Sequence, residues 1–179
     1  LSHSLEAIWN KNANNTSTNF AITAICAILE NGGALKANPS NLTIRKKLLN
    51  AATTAGLAFS NTTTAAAHSM SYPLTIHYGI PHGIASSISL LPLLEINGKF
   101  IKEPLDKICN NLELTFNELK QTIKAIPQGV IPYTLDEWDI PENQLTRLAA
   151  ESFTKGRMDN NIVDLSENQV LTILNEIYN

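Results

Sequence analysis

Apolar residues recur at helical spacing along most of this chain, whereas the strict alternation of a half-buried strand is almost absent. This periodicity predicts an all-α fold. The first helix is expected over residues 2–9. The second is expected to begin with Ser17 or Thr18 as its N-cap and to end at Gly32-Gly33, because glycine adopts the left-handed conformation of a helix C-terminus at little cost.

A long stretch from about Asn41 to Ser71 is crowded with Ala, Thr and Ser, and such small residues let neighbouring helices approach closely. It predicts one central buried helix or a pair of them, ended by Pro73. A loop over 74–81 then leads to a helix that begins at His82. Further helices are expected over 103–111, 115–125, 142–152 and 167–178, with an irregular connection over 127–141. The sequence therefore predicts a multi-helix bundle with one core, in a single domain over 1–179.

The composition is that of a soluble globular domain, with 44% hydrophobic and 16% charged residues and a formal net charge of −3. No basic stripe with interleaved aromatic residues suggests nucleic acid, and the run Arg45-Lys46-Lys47 fits a solvated helix face. No apolar run reaches the ~18 residues of a membrane span and no signal peptide opens the chain, so we expect a cytoplasmic protein without a membrane partner. Cys26 and Cys109 are expected to be buried free thiols.

Three of the four histidines lie where a helical bundle can bring them together: His3 in the first helix, His68 in the small-residue stretch, and His82 at the start of the next helix. Three imidazoles that converge from three helices, with an open position for water or substrate, make a catalytic metal site. The gap between His68 and His82 fits no compact zinc motif, so ordinary core or surface histidines remain an alternative at this point. His77 is expected to be a loop or surface histidine.

Two histidine-containing segments resemble the signature of the iron-containing (group III) alcohol dehydrogenases. Ala67–Leu74 (AHSMSYPL) and Tyr78–Gly83 (YGIPHG) are similar to the pattern His-x-x-x-His-Pro-Leu, a short loop, an aromatic residue and Pro-His-Gly. Leu1–Ala7 (LSHSLEA) resembles the family's first metal segment, Asp-Ala-Leu-x-His-x-Ile-Glu, and residues 167–178 resemble its terminal helix. The resemblance covers most of the chain.

The resemblance implies a dehydroquinate synthase-like C-terminal helical domain in which His3, His68 and His82 bind a divalent metal ion, Fe²⁺ or in some members Zn²⁺. The family's fourth ligand is an aspartate four residues before the first histidine, a position that falls just ahead of Leu1. We expect weak or empty metal occupancy in this chain, because three neutral donors bind a hard cation less tightly than a set that includes a carboxylate.

Two further site residues are implied by the resemblance. Tyr72 stands where many members have a second histidine, four residues after His68, so its hydroxyl is expected to point toward the site and to donate a hydrogen bond or relay a proton in catalysis. Phe59 resembles the aromatic residue that lines the family's substrate pocket. For both residues, simple packing is the alternative.

The implied reaction is the reversible oxidation of an alcohol to an aldehyde or ketone, with NAD(P) as hydride acceptor in the full-length enzyme. Gly32-Gly33 does not follow a strand, so it fails the test for a dinucleotide-binding turn. The start at Leu1, without Met and directly in a helical pattern, is typical of a fragment. We therefore expect the N-terminal nucleotide-binding domain to be absent from this chain, the chain alone to be inactive, and the full-length enzyme to be a homo-oligomer.

The substrate is a small alcohol or aldehyde, and an anionic one is an option. Ser71–Thr75 (SYPLT) is most similar to the branch that contains phosphonoacetaldehyde reductases, and Lys155 and Arg157 could offer positive charge to such a substrate or lie on an ordinary surface. Two other classes stay open: the related glycerol dehydrogenase and dehydroquinate synthase branch, and a non-enzymatic helical interaction module. In the enzyme classes the three histidines must meet, whereas an interaction module would scatter them.

Overall fold

The computed structural model describes all residues from 1 to 179, and it contains ten α-helices and no β-strand. The helices are α1 (Ser2–Ile8), α2 (Asn15–Ala37), α3 (Leu42–Phe59), α4 (Ala66–Tyr78), α5 (His82–Ala85), α6 (Leu90–Asn97), α7 (Lys102–Leu112), α8 (Phe116–Ala125), α9 (Leu145–Glu151) and α10 (Glu167–Glu176). The one extended pairing is an isolated bridge between Asn10 and Asn161. The predicted all-α, multi-helix fold is confirmed.

Helix α2 begins earlier than the sequence suggested. Its N-cap is Asn14, not Ser17 or Thr18, and it forms a reciprocal capping box. The Asn14 side chain accepts a hydrogen bond from the Ser17 N–H, and the Ser17 hydroxyl accepts one from the Asn14 N–H, both at 3.0 Å. Two backbone donors at the helix start are thereby satisfied, which stabilises the longer helix.

The same helix also ends later than expected. Gly32 and Gly33 lie inside α2, because glycine permits a helix end without imposing one. The helix stops at Ala37, just before Pro39. The proline ring disfavours the helical conformation in the residue before it, and Asn38 accordingly has φ −141° and ψ 81°.

The small-residue stretch forms a pair of helices, α3 and α4. The chain between them turns sharply at Thr63, which adopts a left-handed φ of 64°. Pro73 does not end the second helix, as expected from sequence, but lies buried inside α4. Proline removes one helical hydrogen bond, and the burial of flanking residues such as Met70 and Leu74 compensates for that loss. The helix ends instead at Gly79, in the left-handed conformation (φ 67°).

One hydrophobic core of 36 buried residues runs through the molecule, which confirms the single predicted core. Its largest fully buried side chains include Trp9, Ile25, Leu94, Ile108 and Leu119.

Helix α2 is long and apolar enough, by length and composition alone, to cross a membrane. Its inner residues lie in this core, and core helices commonly have such a composition.

The irregular connection over 127–141 is tied to the C-terminal end of the chain. The Leu135 N–H donates to the Ile177 carbonyl at 3.0 Å, and the Asp136 N–H donates to the Tyr178 carbonyl at 3.1 Å. These two bonds satisfy backbone groups that have no helical partner. They hold the connection in place against α10.

Two smaller predictions concern the surface and the thiols. Arg45-Lys46-Lys47 is exposed on α3, as expected. Cys26 and Cys109 are free, as expected, although each is only partly buried. Burial raises the pKa of both thiols above the ordinary value.

Candidate metal centre

Three histidines from three helices meet at one place. His3 comes from α1, His68 from α4, and His82 is the first residue of α5. The ring centroids of His3 and His68 are 4.7 Å apart, and those of His68 and His82 are 5.2 Å apart. On its other side His3 stacks on Phe59, with a centroid distance of 4.1 Å. The structure therefore brings together three candidate ligands that lie far apart in the sequence. Phe59, the predicted pocket aromatic, packs on His3 but is not among the residues that line the cavity described below, so its role in substrate binding stays a prediction.

Local features of the chain produce this meeting. The left-handed Gly79 ends α4, and the turn through Pro81 brings the start of α5 back against α4. The hydroxyl of Ser2 donates a hydrogen bond to the Ser86 carbonyl at 2.6 Å, which ties the start of α1 to the end of α5. The helices that carry the three histidines, α1, α4 and α5, are therefore held against one another.

His68 has a buried acidic partner that sequence reasoning missed. Glu6, on α1, is completely buried, and one of its carboxylate oxygens accepts a hydrogen bond from the His68 backbone N–H at 3.0 Å. The other oxygen contacts the ring nitrogen Nδ1 of His68. The signal was present in the sequence, because Glu6 is an acidic residue among the buried apolar neighbours Leu5 and Ala7. Such a position requires a buried partner.

The opposite nitrogen of His68, Nε2, is buried and has no hydrogen-bond partner. Five other buried polar side-chain atoms also lack a partner, but none of them belongs to a residue that lines the cavity described below. An orphaned buried acceptor in a native structure calls for an explanation, such as an ion or a ligand.

The donor chemistry of the site fits a divalent transition metal, since imidazole suits both iron and zinc. Burial, and secondarily the nearby His68, lowers the pKa of His3 to about 4, so that His3 is neutral and able to ligate at neutral pH. The expected convergence of ring nitrogens is not reached, because His3 and His68 stack nearly parallel, with 16° between their planes. No group of three or more His, Cys, Asp or Glu side chains is placed to hold an ion as they stand. Because the His68 ring is held by Glu6, metal binding requires the rings of His3 and His82 to turn about their side-chain bonds.

The three histidines border a cavity of about 450 Å³, a volume within the usual range for ligand pockets. Half of its 16 lining residues are hydrophobic, including Ile28, Leu90, Ile123 and Ile126, and none is Lys, Arg, Asp or Glu. The hydroxyl of Tyr133, at the rim, is occupied by donating to the Ser87 carbonyl at 2.5 Å. The cavity thus offers imidazoles on one side and an uncharged, largely apolar wall on the other.

The structure does not bring Tyr72 to the three histidines. The Tyr72 hydroxyl accepts a hydrogen bond from Arg157 Nε at 3.3 Å, and the side chain lines a separate surface depression with His77. Residues four apart on a helix share a face only approximately, and the phenol of Tyr72 bonds to the guanidinium of Arg157 instead. The expected direction of the Tyr72 side chain is therefore not found, and its catalytic role stays a prediction.

The other residues singled out in the sequence also lie outside the cavity. Lys155 is exposed and borders another depression, and Arg157 is engaged with Tyr72. The imidazole of His77 pairs with the Glu151 carboxylate at 2.6 Å on the surface, consistent with the expectation of a surface histidine. None of the three contributes to the wall around the candidate metal ligands.

Comparison with known proteins places the chain in a family. Residues 1–178 match the model of the Fe-containing alcohol dehydrogenase family, C-terminal part. The chain is 28% identical over 169 residues to long-chain-alcohol dehydrogenase 1 of Geobacillus thermodenitrificans strain NG80-2, covering 88% of this chain and 42% of that protein. It is 38% identical over 92 residues to the 1,3-propanediol dehydrogenase of Citrobacter freundii, covering 51% of this chain and 24% of that protein. The chain belongs to the iron-containing alcohol dehydrogenase family and corresponds to its C-terminal helical domain.

Structural comparison finds relatives of the same kind as sequence comparison. A crystal structure of a 1,3-propanediol oxidoreductase superposes with a TM-score of 0.88 at 24% identity, covering 99% of this chain and 49% of that one. The helical architecture is therefore that of the C-terminal half of such enzymes. The chain spans about half or less of the length of the proteins it matches.

Proposed function

We propose that this chain is the metal- and substrate-binding domain of an alcohol dehydrogenase, which interconverts an alcohol and an aldehyde or ketone with NAD(P) in the full-length enzyme. The observation that carries the proposal is the proximity of the imidazoles of His3, His68 and His82 at one side of a largely apolar cavity, where Nε2 of His68 is buried without a partner. Membership of the family supports it, and favours this class over the glycerol dehydrogenase and dehydroquinate synthase branch.

In this proposal His3, His68 and His82 hold Fe²⁺ or Zn²⁺. When bound, such an ion supplies Lewis acidity, which lowers the pKa of an alcohol. NAD(P) would be held by a separate nucleotide-binding domain and would supply the hydride-accepting chemistry. The residues of this chain bind and orient: Phe59 supports the ring of His3 by stacking, and the apolar wall excludes water from the carbon chain of the substrate.

The substrate that suits the cavity best is an uncharged alcohol with an aliphatic carbon chain. No Lys or Arg lines the cavity, and Lys155 and Arg157 lie elsewhere, which argues against an anionic substrate such as phosphonoacetaldehyde. The apolar wall gains free energy with each methylene that it buries, about 0.8 kcal/mol. We therefore propose that catalytic efficiency rises with chain length over the short primary alcohols. A cytoplasmic, homo-oligomeric enzyme completes the proposal.

The test of metal dependence uses the full-length enzyme, freed of metal by a chelator. We expect oxidation of 1-butanol with NAD⁺ or NADP⁺ to vanish on chelation and to return on addition of Fe²⁺ or Zn²⁺. Oxidation that continues undiminished in metal-free enzyme would contradict the proposal.

Substrate class is tested by comparing kcat/KM for ethanol, 1-butanol and 1-hexanol. We expect a rise of about fourfold per methylene, the rate equivalent of the burial free energy given above. Ile126→Trp, which fills the cavity, should abolish the rise while keeping activity on ethanol. Ile76→Trp is the matched control, because Ile76 is 75% exposed and lies outside the cavity. A higher kcat/KM for phosphonoacetaldehyde than for butanal would overturn the uncharged substrate.

A further inference from the structure

Both carboxylate oxygens of Glu6 contact a single residue, His68. Glu6 is completely buried on α1, and both of its oxygens face His68: one accepts from the backbone N–H at 3.0 Å, and the other contacts the ring nitrogen Nδ1. A buried carboxylate is costly unless it is hydrogen-bonded. The contact joins residues 62 positions apart, so only the tertiary fold brings this carboxylate to this histidine.

The contact determines which ring nitrogen of His68 carries hydrogen. An ionised carboxylate can only accept hydrogen bonds, so the Nδ1 that faces it must be the N–H donor. In a neutral imidazole the other nitrogen then holds a free lone pair. That other nitrogen is Nε2, which is buried, has no partner and belongs to a ring that borders the cavity beside His3 and His82.

We propose that Glu6 is a positioning residue: it fixes His68 as the Nδ1–H tautomer and thereby presents the Nε2 lone pair to the metal. The inference rests on the proposed function, because only a bound metal would use the Nε2 lone pair. Carboxylate partners of ligating histidines commonly set the ring orientation and tautomer in this way. Glu6 does not line the cavity, and both of its carboxylate oxygens contact His68, so it acts on the reaction through its neighbours and chiefly through His68.

The decisive variant is Glu6→Gln, which keeps the shape of the side chain. Its amide oxygen can still accept from the His68 backbone N–H, and its NH₂ group then faces Nδ1. Because that NH₂ group donates, Nδ1 must become the acceptor and the hydrogen must move to Nε2. The variant therefore converts His68 into the tautomer that cannot ligate. The expected metal affinity is 10- to 100-fold weaker, the usual loss for such a partner.

The chain provides a matched control. Glu151 forms the same kind of pair with His77, through Nε2 at 2.6 Å, but on the surface and away from the cavity. Glu151→Gln makes the same chemical change to a Glu–His pair. It should leave the metal affinity unchanged within a factor of about two.

Two measurements on the full-length enzyme test the proposal: ring ¹⁵N chemical shifts of the metal-free, ¹⁵N-histidine-labelled protein, and Zn²⁺ affinity by competition with a chromophoric chelator. We expect Nδ1–H at His68 in the wild type, Nε2–H in Glu6→Gln, and weaker Zn²⁺ binding in that variant alone. A wild-type His68 with its hydrogen on Nε2 would overturn the proposal, and this measurement requires no variant to fold. Wild-type affinity in a folded Glu6→Gln protein would overturn it as well.

The same data separate this inference from the proposed function. A full-length wild-type enzyme with the expected His68 tautomer that takes up no Zn²⁺ or Fe²⁺ would overturn the metal-dependent function while supporting the tautomer assignment for Glu6. A wild-type protein that binds metal with the opposite tautomer in its metal-free form would retain the function and remove the positioning role.

Discussion

At the scale of single residues, the candidate centre depends on rings held in different ways. His68 is fastened on one side by Glu6, His3 is packed between Phe59 and His68, and His82 is exposed at the start of its helix. Exposure gives His82 the freedom to turn that metal binding requires. It also means that removing the His82 ring should cost little packing.

This leads to a prediction for His82→Ala. Metal affinity should fall by well over tenfold, because loss of a ligand exceeds the ~10-fold minimum typical for loss of a ligand's partner. The free energy of unfolding of the metal-free protein should change by less than about 0.5 kcal/mol, as for other exposed positions. Calorimetric Zn²⁺ titration and urea unfolding measure the two quantities. The control is His77→Ala, whose ring lies at the surface outside the cavity; equal losses in both variants would contradict the assignment.

Tyr133 at the rim of the cavity supports a second prediction at this scale. Its hydroxyl donates to the Ser87 carbonyl, and Tyr133→Phe should lower the free energy of unfolding by about 1 kcal/mol, the usual net value of a hydrogen bond. Urea unfolding at neutral pH measures this change. An unchanged midpoint would indicate that water replaces the bond.

The same tyrosine predicts a pH dependence. Burial raises the pKa of Tyr133 above its ordinary value. The folded state therefore retains the phenol proton at pH values where the unfolded chain has lost it. The stability that this proton provides is present below the unfolded pKa of about 10 and is lost as pH rises through the higher folded value. Urea unfolding across this range should show the loss in the wild type and a smaller one in Tyr133→Phe.

At the scale of elements, helix ends depended on context as well as on residue type. Gly32 and Gly33 do not end α2, and Pro73 does not end α4, whereas Gly79 does end its helix. Where capping is local, as in the box formed by Thr115 and Glu118 before α8, sequence and structure agree to within a residue. At Pro73, the favourable burial of the surrounding helix outweighs the tendency of proline to end a helix.

Two glycines give opposite predictions for the same substitution. Gly33→Ala should raise the free energy of unfolding by about 0.5–1 kcal/mol, because Gly33 is helical and an added methyl group meets no atom within 4 Å. Gly79→Ala should lower it by about 1–2 kcal/mol, since alanine is strained at a φ of 67°. Thermal unfolding of both variants measures the pair. Changes of the same sign would contradict the boundaries described for α2 and α4.

At the scale of the whole molecule, a buried amide pair joins distant parts of the chain. Asn97, at the end of α6, and Asn161 exchange hydrogen bonds at 3.0 and 3.1 Å, and both are fully buried. Next to this pair, the Ile162 N–H donates to the Trp9 carbonyl at 2.9 Å. The C-terminal segment is thereby attached to both α6 and the chain that follows α1.

Asn161→Ala should therefore destabilise the protein by about 2–3 kcal/mol. The substitution leaves the buried amide of Asn97 without its partner, and an unsatisfied buried group costs ~1–3 kcal/mol in addition to the lost packing. Asn175→Ala is the control, because Asn175 is exposed and bonds only to a carbonyl of its own helix; it should change stability by less than about 0.5 kcal/mol. Denaturant unfolding of both variants decides. Similar effects would show that the amide pair contributes nothing beyond a surface bond.

The helical class, the single core and the three histidines were all accessible from the amino-acid sequence. Helix periodicity is a local property of the chain, and a motif such as Pro81-His82-Gly83 can be recognised without knowing any tertiary contact. The tertiary structure alone decided the buried pairing of Glu6 with His68, the uncharged cavity wall and the direction of Tyr72. Each of these depends on residues more than 60 positions apart, and sequence periodicity carries no information about which distant side chains the packed core brings into contact.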